Sequence, residues 1–428
     1  MEADQHGRSR AIPSVKPSVI LLSLLIALAS PEAEADEVVV CPDCPIHSLK
    51  DAIQAVQPGG TVRVQAGTYS ESNLVIRKPI HLLGAGRPVV DAGGQGNVFL
   101  VNAPDVEISG FVVRNSGIDY VEDLAGIKVM ESSGCRIVDN EVRDCYFGIY
   151  LGKSRNCLIE RNKVSGANRG ESSAGNGIHI WYGENMVLLD NEVVGNRDGI
   201  YFEFVKNSRI LRNRSERSLR YGLHFMFSND DEYQDNVFKE NGSGVAVMYS
   251  RNIRMSGNHF ETSLGGSSYG VLLKDISASE IRGNVFAGNT VGAYLEGTTR
   301  SNFRGNTFTR NGWALRVLGN TDSNVFEGND FTLNTFDVAT NASSNLNRFT
   351  GNYWDAYRGV DLDHDGFGDD PFRPVRLSSL LMEKYGVSVL LLKSYFFAIL
   401  DEAERALPVL TPSSYQDERP RMRSGGVR

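Results

Sequence analysis

Positive charge is in short supply in this chain. Its 428 residues carry 44 lysines and arginines against 52 aspartates and glutamates, a formal net charge of −8 at pH 7. That balance argues against a nucleic-acid partner, which would need a basic face. No G-x-x-x-x-G-K-[ST] segment occurs, so the chain lacks the phosphate-binding loop that ATP hydrolysis uses. Uncharged apolar runs of membrane-spanning length are also missing. SVILLSLLIALAS (Ser18–Ser30) is short, and Glu383, Lys384, Lys393 and Asp401 interrupt the apolar stretch 375–407. Cysteines number five and prolines 14, whereas glycine reaches 44. Much glycine without a collagen period reads as many tight turns in an all-β chain. The length allows one large domain or two ordinary ones.

The N-terminus reads as a processing segment. Arg8, Arg10 and Lys16 form a basic start, Ser18–Ser30 an apolar centre, and Ala33-Glu34-Ala35 a small-x-small cleavage site. Residues 1–35 are therefore expected to be a signal peptide, with the mature chain starting near Asp36. Two arginines separated by Ser9 are not a twin-arginine signal, so the general secretory route and a bacterial periplasm are expected. An uncleaved membrane anchor is the competing reading.

The rest of the chain repeats. IVDNEV, IERNKV, LLDNEV and their successors, down to FTGNYW, align on Asn140, Asn162, Asn191, Asn213, Asn236, Asn258, Asn284, Asn306, Asn329 and Asn352. The spacing is mostly 22 or 23, with 29 and 26 once each. Three positions before each Asn, and two after it, nearly every residue is apolar. Such columns arise when each repeat is one coil of a solenoid and equivalent side chains stack inward. The unit is too short for a helical hairpin, and its β-branched and aromatic residues favour strands. The repeating Asn suits a turn, where it tolerates left-handed geometry and bonds its neighbours along the stack. The expected fold is all-β, a right-handed parallel β-helix over 36–372 with about 22–23 residues per coil. Ser48 to Val56 is expected to form a capping helix.

A second motif, G-φ-x-φ-x, lies about 13 residues ahead of each Asn. Its φ positions point inward, so the x positions face outward. The first x column runs Lys128, Tyr150, His179, Tyr201, His224, Ala246, Leu272, Tyr294. The second runs Met130, Gly152, Trp181, Glu203, Met226, Met248, Lys274, Glu296. Neighbouring coils are about 4.8 Å apart, so Met226 and Met248 become vertical neighbours on one exposed stripe, with His224 beside Met226. His179, two coils away, shares the face but not the coordination sphere. Thioether plus imidazole suits Cu(I), and solvent-facing Met pairs are unusual. The alternative is an aromatic and Met-rich patch that docks a partner or a sugar. In YGLHFMFSND (221–230), Leu223, Phe225 and Phe227 are expected in the core.

Three other groups stand out. Cys41, Cys44 and His47 form a CxxC with a nearby imidazole, a copper site or, in an oxidising compartment, a disulfide. Cys135 and Cys157 share a column five before the Asn and are expected to stack inward as buried thiols, continued by Met186; Cys145 has no assigned role. Asp361, Asp363 and Asp365, followed by Gly366, match the start of a Ca²⁺ loop. The glutamate expected at its end is absent, since Phe372 stands there, and Asp369 or Asp370 would have to replace it. After Pro374 the chain turns helical. Residues 373–411 are too apolar to lie bare in water and are expected to dock on a partner, by preference a membrane protein, or else on the solenoid end. Residues 412–428 read as a disordered tail.

Taken together, an exported β-helix, the CPDC start, GLHFMFSND followed by GVAVMYSRN, the ending GNYWDAYRGVDLDHDGFGDDPF and an apolar C-terminal helix resemble the NosD family. The family serves maturation of bacterial nitrous oxide reductase. The resemblance covers about 37–410. It implies an accessory role without catalysis. It further implies docking through the C-terminal region onto an ABC-transporter permease with a separate ATPase. Copper would pass from a membrane-anchored chaperone lipoprotein toward the copper–sulfide cluster of the nitrous oxide reductase apoprotein. By that analogy copper, as transient Cu(I), falls to His224, Met226 and Met248. Two other readings compete. A carbohydrate lyase, hydrolase or epimerase would need clustered carboxylates or a carboxylate with a base, whereas this stripe offers Glu203 and Lys274 about three coils apart. A passive surface-interaction solenoid would show no metal affinity.

Overall fold

A computed structural model of the chain describes residues 36–119, 121–166, 170–342, 345–384, 394–406, 411–412 and 414–425. The segment read as a signal peptide lies outside them. Three parallel sheets of 14, 12 and 13 strands each take one strand from successive coils, in chain order along the stack. This is the expected right-handed parallel β-helix.

The repeat columns explain its core. Two positions after the Asn, Phe238, Phe260, Phe286, Phe308, Phe331 and Trp354 stack face to face, with centroids 5.6, 4.7, 4.6, 5.0 and 4.1 Å apart. Three before it, Phe303, Phe326 and Phe349 stack at 4.7 and 4.6 Å. All of these rings are buried. Near-parallel stacking is imposed by the coil spacing, and burial of each ring supplies the driving force.

The Asn column forms a continuous ladder inside the wall. Each Nδ2 donates to the Oδ1 one coil on, from Asn140 to Asn162 at 3.1 Å through to Asn329 to Asn352 at 2.9 Å. The left-handed turn position is not the Asn itself. It is the residue before it, as at Asp139, Arg161, Asp190 and Gly257, with φ of 56, 50, 55 and 65°. The Asn is free to turn inward because its predecessor makes the corner.

Both ends of the stack are covered. At the N-terminal end α1 (Leu49–Ala55) buries Leu49, Ala52 and Ile53, and the Ser48 side chain accepts from Asp51 N. At the other end α2 (Leu377–Lys384) packs on the last strand of the 12-stranded sheet, Phe336–Ala339. Met382 meets Phe336 there, with Leu400 of α3 (Tyr395–Ala406) and Trp313 alongside. An Arg316–Glu383 ion pair at 2.6 Å ties α2 to the sheet. Part of the extension therefore docks on its own solenoid, while Tyr395 and Ile399 of α3 stay exposed. No helix among the described residues is long and apolar enough to cross a membrane.

The tail differs from the expectation of disorder. Residues 414–425 fold back onto the last coil, with Asp417 bridging Phe349 and Phe372, and Arg421 bridging Tyr353 and Phe367. Polar composition misleads here because the tail supplies hydrogen-bond partners rather than apolar bulk. Asp417 takes the next rung of the ladder, accepting from Asn352 Nδ2 at 2.9 Å.

One column carries a buried acid. Asp231 stands five before Asn236, where other coils place Cys135, Cys157, Met186 and Ser208. Its Oδ1 accepts from Ser208 N at 2.8 Å, and its Oδ2 has no partner. Burial pushes its pKa up to about 8 from 3.8. The folded chain thus holds a proton that the unfolded chain has released, so this group's contribution to stability falls as pH rises from about 4 to about 8. Asp231→Asn should raise the melting temperature at pH 8 and change it far less at pH 5. An equal shift at both pH values in thermal melts would refute the assignment. Asn324 already fills the same column, with its Nδ2 donating to Thr298 O at 2.8 Å.

Candidate metal centre

The strands Ile200–Glu203, Tyr221–Met226 and Ser243–Met248 lie side by side in the 12-stranded sheet. Their register pairs Tyr201 with His224, His224 with Ala246, Glu203 with Met226, and Met226 with Met248. Close approach at the motif glycines locks this register: a Cβ on Gly222 would lie 2.8 Å from Gly244 O, and one on Gly244 2.3 Å from Gly270 O. The two thioethers are therefore on neighbouring coils of one face, with the imidazole two residues along from Met226.

The face is less open than its outward direction suggested. His224 is only 6% exposed, and Tyr150, Ala246 and Leu272 of the same column are buried too. Met226 and Met248 are half-buried. The rings of Tyr221 and Tyr201 shield the imidazole, with centroids 4.8 and 5.0 Å away. The Arg220 guanidinium lies over Tyr221 at 5.2 Å. Long aromatic side chains from the same wall cover the column, which strand alternation alone does not reveal.

Both ring nitrogens of His224 are buried without a hydrogen-bond partner. Buried polar atoms are nearly always satisfied, so an imidazole nitrogen left without a partner is available to a ligand. An imidazole lone pair beside two soft thioethers suits a monovalent soft cation. His179 does not join them. Tyr201 stands between, its ring 4.7 Å from that of His179. His179 Nδ1 is engaged by Asn176 Nδ2 at 3.1 Å, and burial pushes its pKa down to about 3, leaving it neutral.

Comparisons with known proteins give the chain's family. The family model described as "Periplasmic copper-binding protein (NosD)" matches residues 86–172 and 167–359. The chain belongs to the NosD family. A NosD from Pseudomonas aeruginosa, described as a probable ABC transporter binding protein, is 31% identical over 97% of both chains. One from Stutzerimonas stutzeri, with the same description, is 29% identical over 86% of this chain and 88% of its own. Among solved structures, the catalytic unit of a Streptomyces thermodiastaticus α-1,3-glucanase aligns with TM-score 0.56 at 15% identity, covering 72% of this chain and 65% of its own. The A-module of the Azotobacter vinelandii mannuronan epimerase AlgE6 aligns at 0.50 and 16%, covering 71% and 94%. At such identities the likeness concerns the fold.

In this NosD family member Glu203 and Lys274 stand apart on the stripe, as their column positions predict. Two thioethers separate Glu203 from Lys274, and Lys274 Nζ pairs with Glu296 at 3.2 Å. The remaining constellations resolve as follows. Cys41 and Cys44 are joined by a disulfide, which withholds their thiolates from a metal, and His47 is exposed. Cys135 and Cys157 are buried in one column as expected but form a disulfide instead of a thiol stack. Coil spacing sets their Cα atoms 4.6 Å apart, within bonding range. Cys145 is buried, its thiol donating to Arg143 O at 3.4 Å. Asp361, Asp363 and Asp365 do converge, their oxygens within 4.8 Å of one another. Asp369 lies apart from that cluster and accepts from Leu362 N at 2.7 Å, while Arg419 already pairs with Asp365 at 2.6 Å.

Two features escaped the sequence reading. Phe227 is 41% exposed rather than core. It belongs to a surface ladder with Tyr182, Phe204 and Tyr249, whose rings are 4.6, 5.2 and 5.1 Å apart and whose φ values lie between 51 and 56°. Bulky residues rarely hold positive φ. The corner after each strand breaks the inward–outward alternation, so a side chain two past Phe225 does not share its face. The signal was the 22- or 23-residue recurrence of aromatics directly after the second x column. The other is Asp198, fully buried one coil below, with Oδ2 3.8 Å from His224 Nδ1. It stands directly before a motif glycine, in a column whose residue type changes from coil to coil.

Proposed function

We propose that this protein is a periplasmic accessory factor that holds copper as Cu(I) on His224, Met226 and Met248. It relays the ion toward assembly of the copper–sulfide centre of nitrous oxide reductase. The observation that carries this reading is a buried imidazole with two orphaned nitrogens beside two in-register thioethers. The description of the matching family as copper-binding supports it. Half-burial of the sulfurs suits transient custody, since a fully enclosed ion could not be handed on. Copper is cargo here, received from a chaperone lipoprotein and delivered to the reductase apoprotein. The Asp361 cluster lies outside that path, because its hard oxygens suit Ca²⁺.

The relatives' description as ABC transporter binding proteins supports a permease partner with its own ATPase subunit. The docking element we assign is 375–411. Its α3 leaves Tyr395, Phe396 and Ile399 exposed at 90, 52 and 66%, an apolar surface suited to a membrane-protein groove. Export as a chain starting near Asp36 would place both surfaces in the periplasm.

Two measurements test the proposal. Anaerobic Cu(I) titration of the exported chain against a chromophoric chelator should give one bound ion. Co-purification with the membrane transporter should succeed with the full chain and fail after deletion of 375–411. Absence of Cu(I) binding would sink the first half. Retained co-purification on deletion would sink the second.

A further inference from the structure

Asp198 is a fully buried carboxyl with an incomplete set of partners. Its Oδ1 accepts from Tyr221 N at 3.3 Å and faces Arg220 Nε at 3.9 Å. Its Oδ2 has no partner, although His224 Nδ1 is 3.8 Å away and equally unsatisfied. Burying a carboxyl away from water is costly unless hydrogen bonds replace the lost hydration. Leaving an acceptor and a possible donor this close and unpaired costs both groups. Closing the gap to an ordinary N–H···O distance of about 2.9 Å needs a movement of about 1 Å, within reach of side-chain torsions alone.

We propose that Asp198 is the positioning residue for His224: its Oδ2 takes the Nδ1–H, so that Nε2 carries the lone pair offered to the soft cation. This rests on the reading of His224 as a copper ligand. The reasoning is one of compatible partners. An ionised carboxyl can only accept, so pairing with it requires hydrogen on Nδ1. A neutral imidazole protonated there has its only lone pair on Nε2. Metal-bound histidines are commonly fixed in this way through the nitrogen not used for ligation. His179 supplies an internal contrast. Its Nδ1 faces the Asn176 amide, from the residue before its own motif glycine. Asn176 Oδ1 accepts from Asp198 N at 3.3 Å, so the amide nitrogen is what faces Nδ1; it only donates, which fixes His179 in the opposite, Nε2–H tautomer. Of the two histidines on this face, His224 has a carboxyl oxygen nearest its Nδ1 and His179 an amide nitrogen.

The groups around Asp198 define the rival role. Arg197 and Arg220 lie nearby, and the Glu171 carboxylate meets Arg220 at 3.6 Å. Asp198 could serve only to balance these guanidinium groups, leaving the imidazole unaffected. The two roles differ in the tautomer of the metal-free protein. With seven histidines in the chain, selective ¹⁵N-histidine labelling and two-bond ¹H–¹⁵N spectra of the metal-free full chain can resolve His224, assigned through His224→Gln. We expect the Nδ1–H form in wild type. We expect reversion in Asp198→Ala to the Nε2–H form that free neutral imidazole prefers.

Cu(I) affinity should drop about 10–100-fold in Asp198→Ala, the range for losing an outer-shell partner. Asp198→Asn, whose amide oxygen can still accept, should fall between the two. Circular dichroism checks that each variant is folded, and the isosteric Asn variant carries the test if the Ala variant is not. An Nε2–H His224 in wild type would overturn the proposal, as would a tautomer unchanged by both substitutions. The expected tautomers without any Cu(I) binding would instead defeat the copper reading and leave the positioning role standing.

Discussion

Replacing Asp417 with Ala is expected to lower the free energy of unfolding by about 3–5 kcal/mol, since several buried donors lose their acceptor at about 1–3 kcal/mol each. Five donors converge on this carboxyl. Asn352 N, Asn352 Nδ2 and Trp354 Nε1 reach Oδ2 at 2.9, 2.9 and 3.1 Å, and Gly351 N and Arg419 N reach Oδ1 at 3.0 and 3.1 Å. Alanine would leave the donors from the last coil buried and unmatched. It would also free a tail that closes the open edge of the stack. Asp417→Asn should cost far less, because every earlier rung of the ladder is an Asn whose Oδ1 meets the equivalent donors. An amide oxygen in the Oδ2 position would lose only the two bonds at the other oxygen. In a solenoid the damage begins at the terminal coils and need not unfold the whole chain at once. Trp354 sits at that end, with its indole nitrogen on Asp417, so hydrogen exchange at Trp354 Nε1 reports locally. Urea unfolding gives the global figure. An alanine variant within about 0.5 kcal/mol of wild type, the usual scatter of surface substitutions, would show that the tail is not a structural cap.

The Asn that makes this cap is also what made the fold readable. Its recurrence set the coil length, and the apolar columns on either side set which residues stack, so the positions of Phe260, Phe286 and Phe308 followed from counting. Register then placed Met226 against Met248, because insertions such as the one between Asn162 and Asn191 lie in loops and leave the columns in phase. What counting could not supply is what covers a face. Strand alternation puts His224 on the outside of the wall, yet the rings of Tyr201 and Tyr221 bury it. The corner at Phe227 breaks alternation altogether. The tail was illegible for a related reason. Its contribution lies in the hydrogen-bonding needs of the last coil, set by Asn352 and Trp354, and not in any periodicity of its own. Asp198 reaches His224 from one coil below, across a column that carries different residues in each repeat.

On the proposed site, removing a ligand should have a larger effect than removing its outer support. Loss of an outer-shell partner costs about 10–100-fold in metal affinity, so His224→Ala, Met226→Leu and Met248→Leu should each weaken Cu(I) binding by about 100-fold or more. Leucine is the informative replacement for the methionines. It nearly conserves volume and apolarity, so the packing of the wall survives, and the sulfur alone is lost. The surroundings offer little to substitute for it. Ala246 stands opposite His224 on the next coil, and Lys274 follows Met248 with its ammonium bound to Glu296. Glu203, below Met226, offers only a hard oxygen. Metal preference should shift accordingly. Wild type should discriminate against Zn²⁺, which favours nitrogen, thiolate and carboxylate ligands, and the double Met226→Leu, Met248→Leu variant should lose most of that preference along with its Cu(I) affinity. X-ray absorption of the Cu(I)-loaded wild type should show two sulfur scatterers and one nitrogen, with one sulfur fewer in each single Leu variant. Equal Cu(I) affinities for wild type and Met226→Leu would move the site elsewhere on the solenoid, since no arrangement centred on His224 and Met248 alone would leave the intervening sulfur without effect.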